Sequence, residues 1–259
     1  MLLAIDIGNT NIVFGVFDQE RLVRSWRLAT RRDETADELG IWITQFFAHQ
    51  RIEASSIDDT VMASVVPPIT GTMAEMVVRY FGRQPMVVDG DSETGMPNRY
   101  ETPSEVGADR IVNGVAAYER FGRDGHHPVI VVDFGTATTF DAISADGAYL
   151  GGVICPGVGI SADALFQRAA RLPRVEVRKP ARVIGRNTVG SLQSGLFWGY
   201  VGLVEGIVQR MKRELGADAV TVATGGLAEL IAPETPVIEA VDRDLTLHGL
   251  RIIRTRNSR

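Results

Sequence analysis

The sequence predicts an α/β protein made of two domains built on one plan, and three observations carry that expectation. An apolar run leads into a short polar turn twice, at Asp6-Ile7-Gly8-Asn9-Thr10-Asn11 and at Asp133-Phe134-Gly135-Thr136-Ala137-Thr138-Thr139. Asp6 and Gly8 recur as Asp133 and Gly135 roughly half a chain later, the mark of two similar domains and not of a solenoid. Period-2 runs are followed by helical periodicity in both halves, as in a mixed sheet covered by helices. The 259 residues accommodate two domains of ordinary size. The polar stretch from Arg120 to Pro128 is a plausible boundary, giving domains over 1–120 and 121–259.

Taken in order, residues 2–7, 11–17 and 21–29 read as three strands, joined by turns at Gly8-Asn9 and Asp18-Gln19-Glu20. Thr35-Ala36-Asp37-Glu38 is a capping box opening a helix with Leu39, Ile43, Phe46 and Phe47 on one face. Residues 60–66 read as a strand stopped by Pro67-Pro68, 69–82 as a helix and 86–88 as a strand. This βββαβαβ order is that of a ribonuclease-H-like domain. Residues 89–103, rich in Asp, Gly, Pro and Asn, read as an irregular loop long enough to suggest a role. Ser104 is placed to cap a helix through Val106, Ile111, Val115, Ala116 and Tyr118. In the second half, strands are expected over 129–134, 138–144 and 149–154, then a turn over 155–159 and a helix over 161–171. The Arg-rich segment 172–190 reads as a solvated connection, and 191–214 as a long helix with glycines at 195, 199, 202 and 206. Residues 221–224 form a last well-marked strand, Gly225-Gly226 opens a helix over 227–231, and 237–238 and 245–250 end the fold.

Composition bounds the function. Hydrophobic residues make up 45% and charged residues 23%, ordinary values for a soluble globular protein. A net charge of −5 argues against non-specific nucleic-acid binding. The one cysteine, Cys155, excludes an intrachain disulfide and reads as a small packed residue. The most apolar helix, 196–211, contains Glu205 and is too short to span a bilayer. The first residues enter a strand without a basic leader, so a cytoplasmic location is the expectation.

The chemistry lies in the turns. Gly135 lets a ligand approach the backbone closely, and turn N–H groups and hydroxyls suit phosphate oxygens. A carboxylate repels phosphate, so Asp6 and Asp133 call for a cation beside each; the alternative is a pair of plain hairpin turns. Gly225-Gly226, between strand and helix, suits backbone contact with a nucleotide, or is only a tight turn. In Gly107-Ala108-Asp109-Arg110, Asp109 near a helix start is a candidate general base and Arg110 an anion ligand; a surface ion pair is the alternative. Gly157-Val158-Gly159-Ile160-Ser161-Ala162 imitates a dinucleotide fingerprint, but Pro156 and the Arg-rich continuation favour a close strand–helix turn. There is no G-x-x-x-x-G-K-[ST] loop, and no cysteine pair or histidine cluster supports zinc.

Together these residues resemble the two phosphate motifs and the adenosine motif (Thr224-Gly225-Gly226) of the sugar kinase/actin-like ATPase superfamily. With Ser64-Val65-Val66-Pro67, Gly107 to Arg110, Gly151 to Gly157 and Asp244-Leu245-Thr246-Leu247, the chain from about residue 2 to 250 closely resembles the type III pantothenate kinases. One departure is His248, where a Glu is expected.

The resemblance implies two ribonuclease-H-like domains with ATP in the cleft between them, and phosphorylation of pantothenate as the first step towards coenzyme A. It assigns ATP contacts to Asp6, Gly8, Asn9, Thr10, Asn11, Thr136, Gly225 and Gly226. It assigns pantothenate contacts to Tyr100, Gly107, Ala108, Asp109, Arg110 and Thr188, with Asp109 as base and no large pKa shift required. Asp133 would hold K⁺ or NH₄⁺, and Asp6 would hold Mg²⁺ directly or through water. A homodimer is also implied, with the 191–214 helix a candidate for its interface and a buried core helix the equal alternative. Two rivals stay open: a kinase of this fold acting on another small hydroxy acid, and a relative that binds ATP without catalysis.

Overall fold

The computed structural model describes residues 1–89, 92–169 and 171–258, which form two compact units. The first comprises Met1–Pro97, Glu101–Ala116 and Asp244–Arg259; the second comprises Asn98–Tyr100 and Ala117–Arg243. The expected division at residue 120 therefore differs most at the C-terminal end, where residues from 244 onward belong to the first unit.

In the first unit, strands β1 (Leu2–Ile7), β2 (Asn11–Asp18), β3 (Arg21–Ala29), β4 (Asp59–Ser64) and β5 (Met86–Val87) pair in the order β3-β2-β1-β4-β5. β1 runs antiparallel to β2 and parallel to β4. Alternation sends Leu3, Ile5 and Ile7 to one face, where helices α1 (Ala36–Gln50) and α2 (Pro67–Phe81) bury Leu39, Ile43, Phe47, Met73 and Val77. The Thr35 capping box is complete, with Glu38 returning to the Thr35 backbone N–H. Pro67 and Pro68 do not merely stop β4. They take the first two positions of α2, where a missing N–H costs nothing. On the other face lies α7 (Leu245–Arg256), whose Leu247 fills the space over Gly15. A Cβ on Gly249 would meet the Val112 carbonyl at 2.1 Å, so α7 and α3 (Ala108–Ala117) are in close backbone contact.

The second unit repeats the plan. Strands β6 (Val129–Phe134), β7 (Ala137–Ile143), β8 (Tyr149–Pro156), β9 (Val220–Gly225) and β10 (Ala240–Val241) lie in the order β10-β9-β6-β7-β8, the first sheet's order read from its other end. Asp6 pairs with Ala63 in β4, and Asp133 pairs with Thr224 in β9, so the duplication holds residue by residue at the turns. Ile130, Val132, Phe134 and Phe140 face α5 (Thr188–Leu215) and α6 (Ala228–Ile231). Asp133, Thr139 and Asp141 therefore face the opposite side.

Several local expectations shift. Ser104 caps nothing: Pro103–Glu105 is an isolated 3₁₀ turn, Val106 is extended, and α3 begins at Ala108. The helix expected to reach Tyr118 passes there into a π-helical and then a 3₁₀ turn, Tyr118–Gly122 and Arg123–Gly125, which take up part of the stretch 120–128 expected as linker. Helix α4 spans Val158–Arg168, with Gly157 at its N-cap, so Val158 and Gly159 are helical. Helix α5 starts at Thr188 because the Asn187 side chain accepts from Gly190 N at 2.8 Å. Among the described residues no helix is long and apolar enough to cross a membrane.

Candidate active site

In the first unit the chain turns at the carboxyl end of β1, the edge where open α/β sheets bind ligands. Asp6 is half-buried and the turn residues Asn9 and Thr10 are exposed. Gly8 N donates to Asn11 O at 3.0 Å and closes the turn. Thr30 secures it from β3: its hydroxyl donates to Gly8 O at 2.6 Å, and its N–H to Thr10 O at 2.9 Å. The sequence reading missed Thr30, which carries no local signal beyond its place at the end of a strand.

Residues 107–110 reach the same edge. Val65 N donates to Ile7 O at 3.0 Å, and Gly107 lies against the Val65 side chain. Ala108 opens α3, so Asp109 falls in its first turn, where the helix dipole favours a negative charge. The Asp109 Oδ1 atom accepts from Arg110 N at 2.9 Å. Burial pushes the Asp109 carboxyl above the usual carboxylate range, against the opposing pull of the Arg110 backbone bond and charge. Arg110 is only 8% exposed. A solvated surface pair is thus excluded.

In the second unit the structure brings three expected features together. The exposed Gly135-Thr136 turn joins β6 to β7, and β9 ends beside it, with Phe134 opposite Gly225 and Gly226 N donating to Phe134 O at 3.2 Å. Gly225 has φ 88°, and a Cβ there would lie 2.5 Å from Asp133 Oδ1. The space beside the Asp133 carboxylate thus exists only because residue 225 lacks a side chain. Gly157 N donates to Thr136 O at 3.2 Å, and a Cβ on Gly157 would meet that oxygen at 2.2 Å. The apparent dinucleotide motif is therefore a close-packed support of this turn.

Tyr100 also belongs to the second unit, beside β8, and Thr188 is exposed at the first position of α5. Among the described residues no group of three or more His, Cys, Asp or Glu could hold a metal. A lone carboxylate suits a hard cation whose remaining ligands are phosphate, water and carbonyl oxygens, and the donor chemistry of Asp6 and of Asp133 is of that kind.

Two sheets of one plan, each ending in a turn of aspartate, glycine and hydroxyls, have the two-domain architecture of the sugar kinase and actin-like fold. Solved structures support the fold. An inorganic polyphosphate/ATP-glucomannokinase from Arthrobacter sp. strain KM superposes with a TM-score of 0.50 at 14% identity, covering 98% of each chain. The ethanolamine utilization protein EutJ from Carboxydothermus hydrogenoformans gives 0.55 at 14%, covering 97% of this chain and 89% of that one. At such identities the likeness concerns the fold alone. Curated relatives are far more similar: the type III pantothenate kinase of Moorella thermoacetica is 55% identical over 258 residues, covering 100% of both chains. That of Myxococcus xanthus is 56% identical over 257 residues, covering 99% of both. The type III pantothenate kinase family model matches residues 2–210. The chain belongs to the type III pantothenate kinase family.

Proposed function

We infer that this chain is an ATP-dependent pantothenate kinase, making 4′-phosphopantothenate at the start of coenzyme A synthesis. The observation that carries the residue-level reading is Asp109, a half-buried carboxylate in the first turn of α3. It accepts the proton of the primary hydroxyl as that oxygen bonds to the γ-phosphorus of ATP and the bond to the ADP oxygen breaks. Burial makes it a stronger base than a solvated aspartate. Gly107, Ala108, Arg110, Tyr100 and Thr188 contact pantothenate, with Arg110 on its anionic end. Asp6, Gly8, Asn9, Thr10, Asn11 and Thr136 hold the phosphates, and Gly225-Gly226 lies under the nucleoside. Phosphoryl transfer asks mainly for such positioning and charge neutralisation. Mg²⁺ at Asp6 and K⁺ or NH₄⁺ at Asp133, when bound, supply positive charge to the phosphates. An assay of ADP release with and without pantothenate tests the reading. Release is expected to depend on pantothenate; equal rates without it would end the proposal.

The cation at Asp133 has its own test. If Asp133 holds the monovalent cation, turnover in potassium salt should exceed that in sodium salt at equal ionic strength. Equal rates in both salts would remove the site.

The same reading includes a homodimer and a cytoplasmic location. Helix α5 buries Leu196, Phe197, Tyr200, Val201, Val204 and Val208. Its Gly195, Gly199 and Gly202 are exposed, with nothing within 4 Å of a Cβ built on any of them. The glycine face is thus not the core face, and it is open to close approach by a second copy. Sedimentation velocity should show a dimer, and Gly199→Arg should dissociate it; a monomeric native chain would refute the assembly.

A further inference from the structure

A buried side-chain pair, which the transfer step does not call on, sets the ring of Tyr100. Asp141 on β7 is fully buried, a costly place for a carboxyl group unless its oxygens are satisfied. The Tyr149 hydroxyl donates to Asp141 Oδ1 at 2.8 Å, and the Thr139 hydroxyl donates to Oδ2 at 3.2 Å. Tyr149, at the start of β8, is fully buried too, so these bonds fix its ring. The Tyr100 ring packs on that ring, with centroids 6.2 Å apart and planes at 53°.

The backbone around Tyr100 is held by the same residue. Arg99 N donates to Tyr149 O at 2.9 Å, and Asn98 forms a parallel bridge with Tyr149. Asn98 Oδ1 then accepts from Tyr100 N at 3.0 Å. Gly151, at φ 127°, leaves the ring its space; a Cβ there would lie 3.3 Å from two Tyr100 ring atoms. Outside, Arg99 pairs with Asp146 at 2.7 Å, but both are exposed, and such pairs contribute little. The buried bonds therefore dominate the constraint.

We propose that Asp141 and Tyr149 are positioning residues for the acceptor, holding Tyr100 in the orientation in which it lines the pantothenate site. This rests on the reading that Tyr100 touches pantothenate. Tyr149→Phe keeps the ring and removes the hydroxyl. Loss of that bond should raise the KM for pantothenate by up to about tenfold, with the KM for ATP and kcat near native. Thr139→Val, which removes the second donor to Asp141, should move the same constant in the same direction by less, and does not depend on Tyr149→Phe folding. Added to Tyr100→Ala, Tyr149→Phe should change the pantothenate KM no further, whereas a merely structural role would add independently. If Tyr100→Ala raises the pantothenate KM and neither Tyr149→Phe nor Thr139→Val does, the positioning role is overturned. If Tyr100→Ala itself leaves it unmoved, the reading of Tyr100 falls and this proposal with it.

Discussion

Replacing Asp109 by Asn should lower kcat by about 10²- to 10⁴-fold, the range a positioned general base supplies, while the Kd for a non-hydrolysable ATP analogue stays unchanged. Asn keeps the side chain's shape and its acceptor oxygen for Arg110 N, so the lost function is proton acceptance. The same variant should melt at a higher temperature at neutral pH. Burial raises the Asp109 pKa, so the folded protein holds this proton more tightly than the unfolded chain does. The stability gained from protonation is complete below the ordinary value of 3.8 and is lost as pH rises through the folded-state value. At pH 7 the native protein thus bears the cost of a buried charge, which the amide lacks. The kcat/KM of the native enzyme should accordingly fall on the acid side with an inflection above 3.8. Thermal melts, a pH profile and nucleotide binding check all three; native turnover in Asp109→Asn would remove this residue as the base.

Gly225→Ala should cost ATP affinity about tenfold or more. The position has φ 88°, and a methyl group would stand 2.5 Å from Asp133 Oδ1 and 2.7 Å from Phe134 backbone atoms. Backbone strain of this kind costs about 1–3 kcal/mol, and relieving it means moving β9 or the Asp133 carboxylate. Either movement disturbs the turn that carries Thr136 and the carboxylate proposed to hold the cation. The KM for ATP should rise and the preference for potassium should shrink together, with the KM for pantothenate near native. An Ala variant with native ATP and potassium responses would show that neither ligand uses this corner.

Much of the plan is legible in the residues. The β-branched runs and the recurrence of Asp-x-Gly mark both sheets and both turns, because a strand's period and a turn's chemistry are local properties. Helix starts were less legible. Ser104 carries the right side chain, yet Pro103 and the extended Val106 delay α3 to Ala108, which is what puts Asp109 in a first turn. Asn187 advances α5 by a turn through a single side-chain bond to Gly190. The supports of the site were hidden for a different reason. Thr30 over Gly8, Gly157 under Thr136 and Tyr149 against Asp141 each act on a residue distant in sequence, and no periodicity announces such pairs.

Helix α7 has a consequence for synthesis. It is translated after every residue of the second unit, yet it covers the far face of the first sheet and locks against α3 through Gly249. On the ribosome, the sheet of the first unit must wait for α7 with the Ala4 and Gly15 side uncovered, so its strands are completed only after the whole second unit has been made. Nascent chains arrested before residue 244 should therefore lean on chaperones that shield apolar surface, and emergence of α7 should be the step that frees them.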